Sequence, residues 1–490
     1  MKARCRPAST RTAVAGLGAL ALAALVGIAG CRVGPDYRAP QPPAGAEAPL
    51  VSLDEAAETP AAPPDDWWRL YRDPQLDRLL AEAFAANTDL AAADANLSGA
   101  RAILAAARAG RYPDTVVTAG GIRGRDAVTD EILELGGHRP ETVWIIDDLF
   151  EVAYEVDLFG RVRRNVEASR ASTEAAAAAR DSLKVVVAAE TARAYAQVCT
   201  LGEQVAVARH SLAVVSREAD ITVQRHDAGA NSQFDVVRAQ GLVAQVRSAI
   251  PPLEGRRRAA LFQLTAVLGR TPVNAPVEVE TCVTAPQLSA LIPVGDGAGL
   301  LKRRPDVRQA ERSLAAATAR IGVATADLYP KISLTGLYGG IGLQLSDLGA
   351  ERGLTWGLRP SISWTFPNQG LPRARVRQAK AAAAASLASF DSVVLTALKE
   401  TEEALAIYRA ALDNREALSD AQDKAHAAFE MAHDQFLAGS LSNLDLLTTE
   451  QSLVAADAAV AASDAGLVQD QIAVFKALGG GWRGPGPDNR

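Results

Sequence analysis

The chain has few aromatic residues, few cysteines and no large excess of charge of either sign. Aromatic residues occupy 5% of its 490 positions although 48% are hydrophobic, and much of that hydrophobic share is alanine. An alanine-rich chain with few bulky rings is typical of long, closely packed helices rather than of a large globular core. The mild net charge of −6 offers no basic face, which argues against nucleic acid as a partner.

The chain also lacks the residue patterns that carry catalysis or hold a metal ion. Its five histidines are scattered: His138, His210, His226, His426 and His433. No Ser-His-Asp, Cys-His or paired-carboxylate pattern stands out, so the sequence predicts neither an enzyme nor a cofactor. The glycine-rich run GLYGGIG at 336–342 lacks the Lys-Ser/Thr of a phosphate loop, and glycines at a strand end or loop are expected there.

The N-terminus has the parts of a bacterial export signal. Four basic residues among the first eleven precede an apolar run at 17–29, which is too short for a comfortable membrane-spanning helix. Small residues then precede Cys31, a pattern that predicts a lipoprotein signal at 1–30 and acylation of Cys31. An ordinary signal peptide with a chance cysteine is the alternative. Arg32, rather than an aspartate, favours sorting to the outer membrane.

Residues 31–72 are interpreted as a lipidated, extended linker. The stretch to about residue 64 is rich in proline and alanine and shows no helical or strand periodicity.

Two cysteines remain in the exported body, Cys199 and Cys282. An isolated pair in an oxidising compartment predicts a disulfide, and two free buried thiols are the alternative. The pair has no companion histidine cluster, so it does not predict a metal site.

The remaining sequence is interpreted as two copies of one structural unit. A shift of 210 positions aligns the segment AGANSQFDVVRAQ at 228–240 with AGSLSNLDLLTTE at 438–450. Each copy is predicted to contain, in order, a helix, a Tyr-Pro dipeptide, extended segments, a very long helix, a bend and a second long helix that ends at Leu-Gly. The predicted parts are listed here: a first repeat at 73–270, a linker at 271–299, a second repeat at 300–479 and a tail at 480–490.

The long helices and their bends have a local explanation. No proline interrupts the pattern from about 161 to 227 or from about 373 to 438, so each helix would reach roughly 100 Å. Gly229 and Gly439 can adopt the left-handed conformation that ends a helix. The next helices begin with N-cap residues Ser232 and Ser442, each followed three positions later by an aspartate, Asp235 and Asp445, that completes a capping box. Each bend is therefore predicted to be the tip of a helical hairpin.

Four segments change to strand periodicity, near 113–122, 143–159, 330–342 and 354–366. Each has one apolar and one polar face, although the alternation near 114–119 is weaker. Four strands cannot close a membrane barrel, because open edges in hydrocarbon leave backbone groups unpaired. Three chains would supply twelve strands and a polar lumen lined by Glu151, Glu155 and Asp157. A small soluble sheet with one face on a core is the alternative.

Several motifs resemble the outer-membrane factor family of TolC-like, NodT-type efflux lipoproteins. They are Cys31 followed by GPDY at 34–37, DLFGRVRR at 157–164, RRPDVRQAERSL at 303–314, IGVATADLYPKISL at 321–334 and ALGGGW at 477–482. The resemblance implies a mainly α protein with membrane β-strands. Its long α-helical hairpins would form a periplasmic tunnel, and its four strands would contribute to a twelve-strand barrel shared by a homotrimer. It also implies two partners, a periplasmic membrane-fusion adaptor and an inner-membrane RND-type pump.

The resemblance also assigns roles to the hairpin tips. It implies that the tips form the periplasmic mouth, with Asp445 and Asp235 as candidate gate residues. Thr448 stands one turn after Asp445, where other members carry an acid, so a weaker ring of charge is expected. Helix capping alone is the alternative role for both aspartates. The expected docking residues for the adaptor are the bend residues Gly229, Ser232, Gly439 and Ser442.

Two basic clusters begin the long helices directly after a strand. They consist of Arg161, Arg163 and Arg164 in the first copy and of Arg373, Arg375 and Arg377 in the second. Cations at a helix N-terminus oppose the helix dipole, so local helix stability does not explain them. They are expected to face anionic lipid head groups of the outer membrane, and salt bridges to neighbouring helices are the alternative.

Together these features predict an outer-membrane lipoprotein that forms a passive, trimeric efflux duct for small molecules. A protein-secretion duct is the alternative within the same class. The rival from a different class is a periplasmic coiled-coil scaffold that has a small sheet and no pore.

Overall fold

The computed structural model describes residues 32–52, 58–125, 131, 134–137, 142–284, 286–288 and 291–482. The predicted signal at 1–30, the acylation site Cys31, His138 and the end of the tail lie outside the described residues. The chain divides into two compact units. Unit 1 comprises residues 1–40, 98–175 and 311–388, and unit 2 comprises residues 41–97, 176–310 and 389–490.

The protein is mostly helical. The helices are α1 (Pro74–Ala86), α2 (Thr88–Ala109), α3 (Arg161–Asp227), α4 (Gln233–Ser248), α5 (Ile250–Val267), α6 (Gly297–Arg303), α7 (Pro305–Ala326), α8 (Gly370–Leu437) and α9 (Asn443–Ala477). The two longest, α3 and α8, have 67 and 68 residues. The proline in α8 stands in its first turn, where a missing N–H costs no helical hydrogen bond.

The strands of the main sheet lie in unit 1. They are β2 (Asp114–Gly124), β3 (Val143–Val156), β5 (Lys331–Gly342) and β6 (Leu354–Ser363), in the order β2-β3-β5-β6 with every neighbouring pair antiparallel. The short strands β1 (Glu58–Thr59) and β4 (Ile292–Pro293) form a parallel pair in unit 2.

The register of the main sheet separates an apolar face from a polar one. Cross-strand partners share a face, so the row Val117, Phe150, Tyr338 and Trp356 crosses all four strands on one side. The exposed fractions of these four side chains are 75%, 44%, 60% and 74%, so the described residues of the chain leave this apolar row uncovered. Residues of the opposite face include Ser333 and Ser361, whose hydroxyl oxygens lie 2.7 Å apart.

The glycine-rich run at 336–342 forms the C-terminal half of β5 and ends with the strand at Gly342, in keeping with the strand-end position expected from the sequence. A Cβ on Gly339 would stand 1.9 Å from the carbonyl oxygen of Asp148 on β3. At the next position the N–H of Gly340 donates to Asp148 Oδ1 at 2.8 Å, and a Cβ there would meet that same oxygen at 2.7 Å. The glycines are therefore required by close backbone packing around Asp148.

The N-terminal segment of unit 1, at residues 33–36, is held by hydrogen bonds at the junction between β3 and α3. The N–H of Val33 donates to the carbonyl oxygen of Phe159 at 3.3 Å. The Arg164 guanidinium is buried and donates to the carbonyl oxygens of Val33 and Gly34 at 3.2 and 3.0 Å. It also contacts the carboxylates of Asp36 and Glu167 at 3.0 and 2.9 Å.

Unit 2 contains the largest apolar core. Trp67 stacks on Phe475 with ring centroids 4.8 Å apart, and Leu80, Leu264 and Ile472 are buried in the same cluster. A disulfide joins Cys199 and Cys282, whose Cα atoms are 4.8 Å apart. Nearby, the guanidinium of Arg257 donates to the Cys282 carbonyl oxygen at 2.7 Å.

Candidate functional site

At the bend between α3 and α4, α3 ends shortly before a glycine and α4 begins a few residues later after an N-cap serine. Gly229 has a φ of +75°, and the N–H groups of Gly229 and Ala230 donate to the carbonyls of His226 and Arg225. These bonds satisfy carbonyls that the ending helix leaves free. No atom lies within 4 Å of a Cβ built on Gly229, so the backbone angle alone calls for glycine. Ser232 caps α4 and forms a reciprocal capping box with Asp235.

The bend between α8 and α9 repeats this geometry. Gly439 has a φ of +78°, and the N–H groups of Gly439 and Ser440 donate to the carbonyls of Phe436 and Gln435. The Ser442 hydroxyl accepts the N–H of Asp445 at 3.2 Å and donates to Asp445 Oδ2 at 2.6 Å. The two bends differ in one bond: Asp235 also accepts the backbone N–H of its N-cap residue Ser232, at 3.0 Å, which completes the capping box in the first bend.

The two hairpin tips of one chain are in contact within unit 2. Arg225 Nη1 donates to the Phe436 carbonyl oxygen at 2.7 Å, and the guanidinium carbon lies 4.4 Å from the centroid of the Phe436 ring. The Thr222 hydroxyl donates to Asn443 Oδ1 at 3.3 Å. A cation held over a ring and a charge-assisted hydrogen bond therefore join the ends of α3 and α8.

The candidate gate residues lie on the solvent side of these tips. Asp445 and Thr448 are exposed and Asp235 is half-buried. The pKa of Asp235 is held below its ordinary value, chiefly by the hydrogen bond from the Ser232 side chain. Both aspartates thus act as capping residues while their carboxylates stay accessible to solvent or to a partner.

The sequence analysis did not single out a set of buried titratable groups beneath the tips. Glu450 of α9 is 1% exposed, and neither of its carboxyl oxygens has a hydrogen-bond partner among the described residues. Glu218 of α3 is also buried and lies 3.2 Å from Nδ1 of His433 on α8. Seven positions after Glu450 on α9, the carboxylate of the buried Asp457 lies 3.0 Å from Nε2 of His426. The sequence feature that could have identified this buried acid is the position of Glu450 in an apolar helical stripe, between Leu447 and Val454.

These histidine contacts do not form a metal centre. The described residues hold no group of three or more His, Cys, Asp or Glu side chains that could bind a metal ion.

The first basic cluster is largely engaged in ion pairs. Arg164 is 1% exposed and bonded as described above, so the prediction that it faces lipid head groups is wrong. Arg161 Nε donates to Glu155 at 2.8 Å, and Arg163 lies 3.7 Å from Asp157. The cluster therefore forms ion pairs, but its partners lie on β3, the turn after it, the N-terminal segment and α3 itself, not on neighbouring helices as the alternative supposed.

Asp157 also differs from its predicted place in a lumen wall. It follows the end of β3, and its carboxylate accepts the N–H groups of Val162 and Arg163 at 2.8 and 2.9 Å. It therefore caps α3, and its negative charge offsets the cations at that helix start. In the second cluster Arg373, Arg375 and Arg377 are exposed, and Arg375 lies 3.7 Å from Asp327.

Comparison with known proteins places these features in a known family. The family model described as outer membrane efflux protein matches residues 79–270 and 299–480, more than half of the chain. The chain is 29% identical over 459 residues to nodulation protein T of Rhizobium leguminosarum bv. viciae, covering 94% of this chain and 92% of that protein. It is 28% identical over 466 residues to the toluene efflux pump outer membrane protein TtgC of Pseudomonas putida, covering 94% and 95%.

Solved structures show the same fold. The outer-membrane channel OprN superposes with a TM-score of 0.83 and 33% identity, covering 92% of this chain and all of that one. The Campylobacter jejuni CmeC outer membrane channel gives a TM-score of 0.81 at 20% identity and covers 92% and 95%.

Proposed function

Because the chain belongs to the outer membrane efflux protein family, we propose that it is the outer-membrane duct of an efflux system, closed by three copies of itself. It is a transport component and not an enzyme. The similar protein TtgC is named for a toluene efflux pump, which supports small molecules rather than proteins as the cargo.

The observation that carries this proposal is the uncovered apolar face of the main sheet. A soluble sheet packs its apolar face on a core, yet the row from Val117 to Trp356 is largely exposed within the chain. Burying such a row in hydrocarbon would gain about 25 cal/mol for each Å² removed from water. The aromatic residues Tyr338 and Trp356 of this row also suit a membrane environment.

The sheet edges support closure by further copies. β2 and β6 are the outer strands, so the N–H and C=O groups of their free edges need partners in lipid. Because the four strands alternate in direction, β6 of one copy can pair antiparallel with β2 of the next. Three copies give twelve strands, and the alternating polar face would then line the lumen.

The exposed alanine-rich surface of α8 fits the same assembly. This helix contains an 18-residue window with a mean hydropathy of 1.6, of which 17% is buried within the chain. By length and composition alone, this helix is long and apolar enough to cross a membrane. We assign it instead to contact with neighbouring copies, since small side chains allow helix backbones to approach closely.

The hairpin tips are proposed as the periplasmic mouth. Three exposed Asp445 carboxylates around a narrow opening would repel one another and attract cations or basic residues of a partner. The bend residues Gly229, Ser232, Gly439 and Ser442 would meet a periplasmic adaptor, which connects the duct to an inner-membrane pump. The exposed Arg373, Arg375 and Arg377 remain candidates for contact with anionic lipid.

The lipid anchor is proposed at Cys31, directly before the fastened segment. The Arg164 guanidinium, in the first turn of α3, donates hydrogen bonds to the carbonyl oxygens of Val33 and Gly34. An acylated Cys31, two positions before Val33, would therefore lie near the start of α3. Labelling with a fatty-acid analogue should modify the wild-type chain and leave Cys31→Ala unlabelled.

Planar-bilayer recordings of the purified protein test the duct directly. Discrete single-channel currents are expected, and Asp445→Ala should reduce cation selectivity because a ring of charge is removed. Asp235→Ala, which also removes a capping aspartate, tests the second candidate gate residue in the same recording. The absence of discrete currents would favour a scaffold without a pore, and unchanged selectivity in Asp445→Ala would remove this residue from the gate.

A further inference from the structure

The buried carboxyl group of Glu450 requires an explanation that the duct alone does not provide. Its two oxygens are buried and have no hydrogen-bond partner in the part of the chain that the structure describes, a rare state for a polar side chain in a folded protein. An ionised carboxylate in such surroundings is expensive to bury, and the usual outcome is that the group takes up a proton. The geometry therefore demands a neutral Glu450 while the helices are packed in this way.

The layer around Glu450 is apolar on two sides. On its own helix Leu447 and Val454 occupy the same stripe, and they pack among Val215 of α3 and Leu242 of α4. An apolar layer offers no counter-ion to a negative charge, so ionisation would place an unpaired charge between α9 and its neighbours.

The charged group that acts on Glu450 from α3 is another acid. Glu218 is buried, its negative charge disfavours ionisation of Glu450, and its own partner is His433 of α8. Burial, followed by the charge of Glu218, raises the pKa of Glu450 to about 8. In the packed arrangement Glu450 is therefore protonated, and the Glu218 side chain contacts His433.

Other charged side chains on the surrounding helices are engaged elsewhere or exposed. On α9, Asp457 is bonded to Gln422 and His426. Asp235 and Arg238 of α4 lie in its first two turns, and Arg225 of α3 is bonded to Phe436. Four side chains on α3 and α8 are exposed: Arg217, Asp220, Glu430 and Asp434.

We propose that Glu450 is a proton-binding site that locks the hairpin tips: while it holds a proton α9 stays packed on α3, and release of that proton frees the first turns of α9. The site lies between α3, α4, α8 and α9 of a single chain, so it does not depend on closure of the barrel. Asp445, which stands five positions earlier on α9, would move with those turns.

The direction of the pH dependence follows from proton linkage. Below the ordinary pKa of a glutamate, the packed and released states both hold the proton, so pH has no effect through this group. As pH rises from there towards 8, the released state gives up its proton while the packed state retains it. The packed state therefore loses stability across this range, and the loss is complete once Glu450 itself ionises.

Hydrogen exchange of the full-length protein in detergent tests the lock. After correction for intrinsic exchange, protection of residues 443–457 should fall at least tenfold between about pH 5 and about pH 8, the range over which the packed state loses stability. Glu450→Gln, which mimics the protonated side chain, should remove this step. Asp457→Asn is the matched control, because that carboxylate is already paired, and it should keep the step at the same midpoint. Glu218→Gln should move the midpoint to lower pH.

Infrared spectroscopy gives a second readout that does not depend on motion. A carbonyl stretch from protonated carboxylic acid should be present near neutral pH and weaker in Glu450→Gln by the contribution of one group, since burial also raises the pKa of Glu58, to about 7. Equal spectra, or a protection step that survives in Glu450→Gln, would overturn the proposal. A step that followed potassium concentration instead of pH would also overturn it, because the ligand would then be a metal cation.

Discussion

The Arg225 guanidinium lies 4.4 Å from the centroid of the Phe436 ring and donates a 2.7 Å hydrogen bond to the carbonyl of the same residue. The two residues stand near the ends of α3 and α8, in the turns that precede the two bends. One side chain therefore ties the two hairpin tips of a chain together, and any movement of one tip against the other must break this contact.

Arg225→Ala should loosen the tips without unfolding the chain. Losing a cation–π contact and a charge-assisted hydrogen bond costs about 2 kcal/mol, so local opening should become roughly 30-fold more frequent. Hydrogen exchange of peptides covering 218–230 and 430–442 measures this change. Arg225→Lys should give an intermediate effect, because an ammonium cannot stack as a planar guanidinium does. An effect no larger than that of Arg217→Ala, at an exposed arginine of the same helix, would contradict the assignment.

Removing the disulfide should destabilise unit 2. Cys199 and Cys282 are 83 positions apart, and closing a loop of that size in the unfolded chain contributes about 4.5 kcal/mol in the chain-entropy account. The double variant Cys199→Ala/Cys282→Ala should therefore melt at a lower temperature than the wild type. Adding a reductant should lower the melting temperature of the wild type and leave the variant unchanged. Equal melting temperatures without reductant would show that the bond adds no stability.

Gly34 and Gly45 allow backbone strain to be separated from steric overlap. Both have positive φ, +87° and +85°, but a Cβ on Gly34 would stand 2.5 Å from the Cα of Gly322 while Gly45 has open space. Gly45→Ala should lower the free energy of unfolding by about 1 kcal/mol through backbone strain alone. Gly34→Ala should lower it further and should also displace the N-terminal segment from Arg164.

Limited proteolysis of residues 32–40 measures that displacement. Gly34→Ala should be cut faster than the wild type, and Gly45→Ala should be cut at the wild-type rate. Equal rates for the two variants would show that close packing against Gly322 does not fasten this segment.

Local features of the fold could be predicted because local sequence determines them. The Ala-Gly and Ser-x-x-Asp patterns specify a left-handed glycine and a capped helix start, and both bends have this geometry around Gly229 and Gly439. The strands lie in the four segments where periodicity changes, including Asp114–Gly124, where alternation was weakest. Those signals need no knowledge of distant residues.

Long-range contacts could not be predicted in this way. Arg164 shares a helical turn with the half-buried Arg161 and the exposed Arg163, and only the fold brings the carbonyls of Val33 and Gly34 to it. The buried state of Glu450 likewise depends on packing with α3, whose Glu218 is more than 200 positions away. The oligomeric state was inferred from strand number, and it stays a prediction.

Cross-linking of the two free sheet edges tests closure of the barrel by three copies most directly. Within one chain β2 and β6 are separated by three strand spacings, about 14 Å, whereas a disulfide needs Cα atoms closer than about 7 Å. A cysteine at Thr118 on β2, combined in turn with one at Thr355, Ser361 or Ser363 on β6, can therefore form a disulfide only between copies. At least one of these pairs should give cross-linked species that end at the trimer on a denaturing gel. Chains that stay monomeric with every pair, or ladders that continue beyond three copies, would contradict the account.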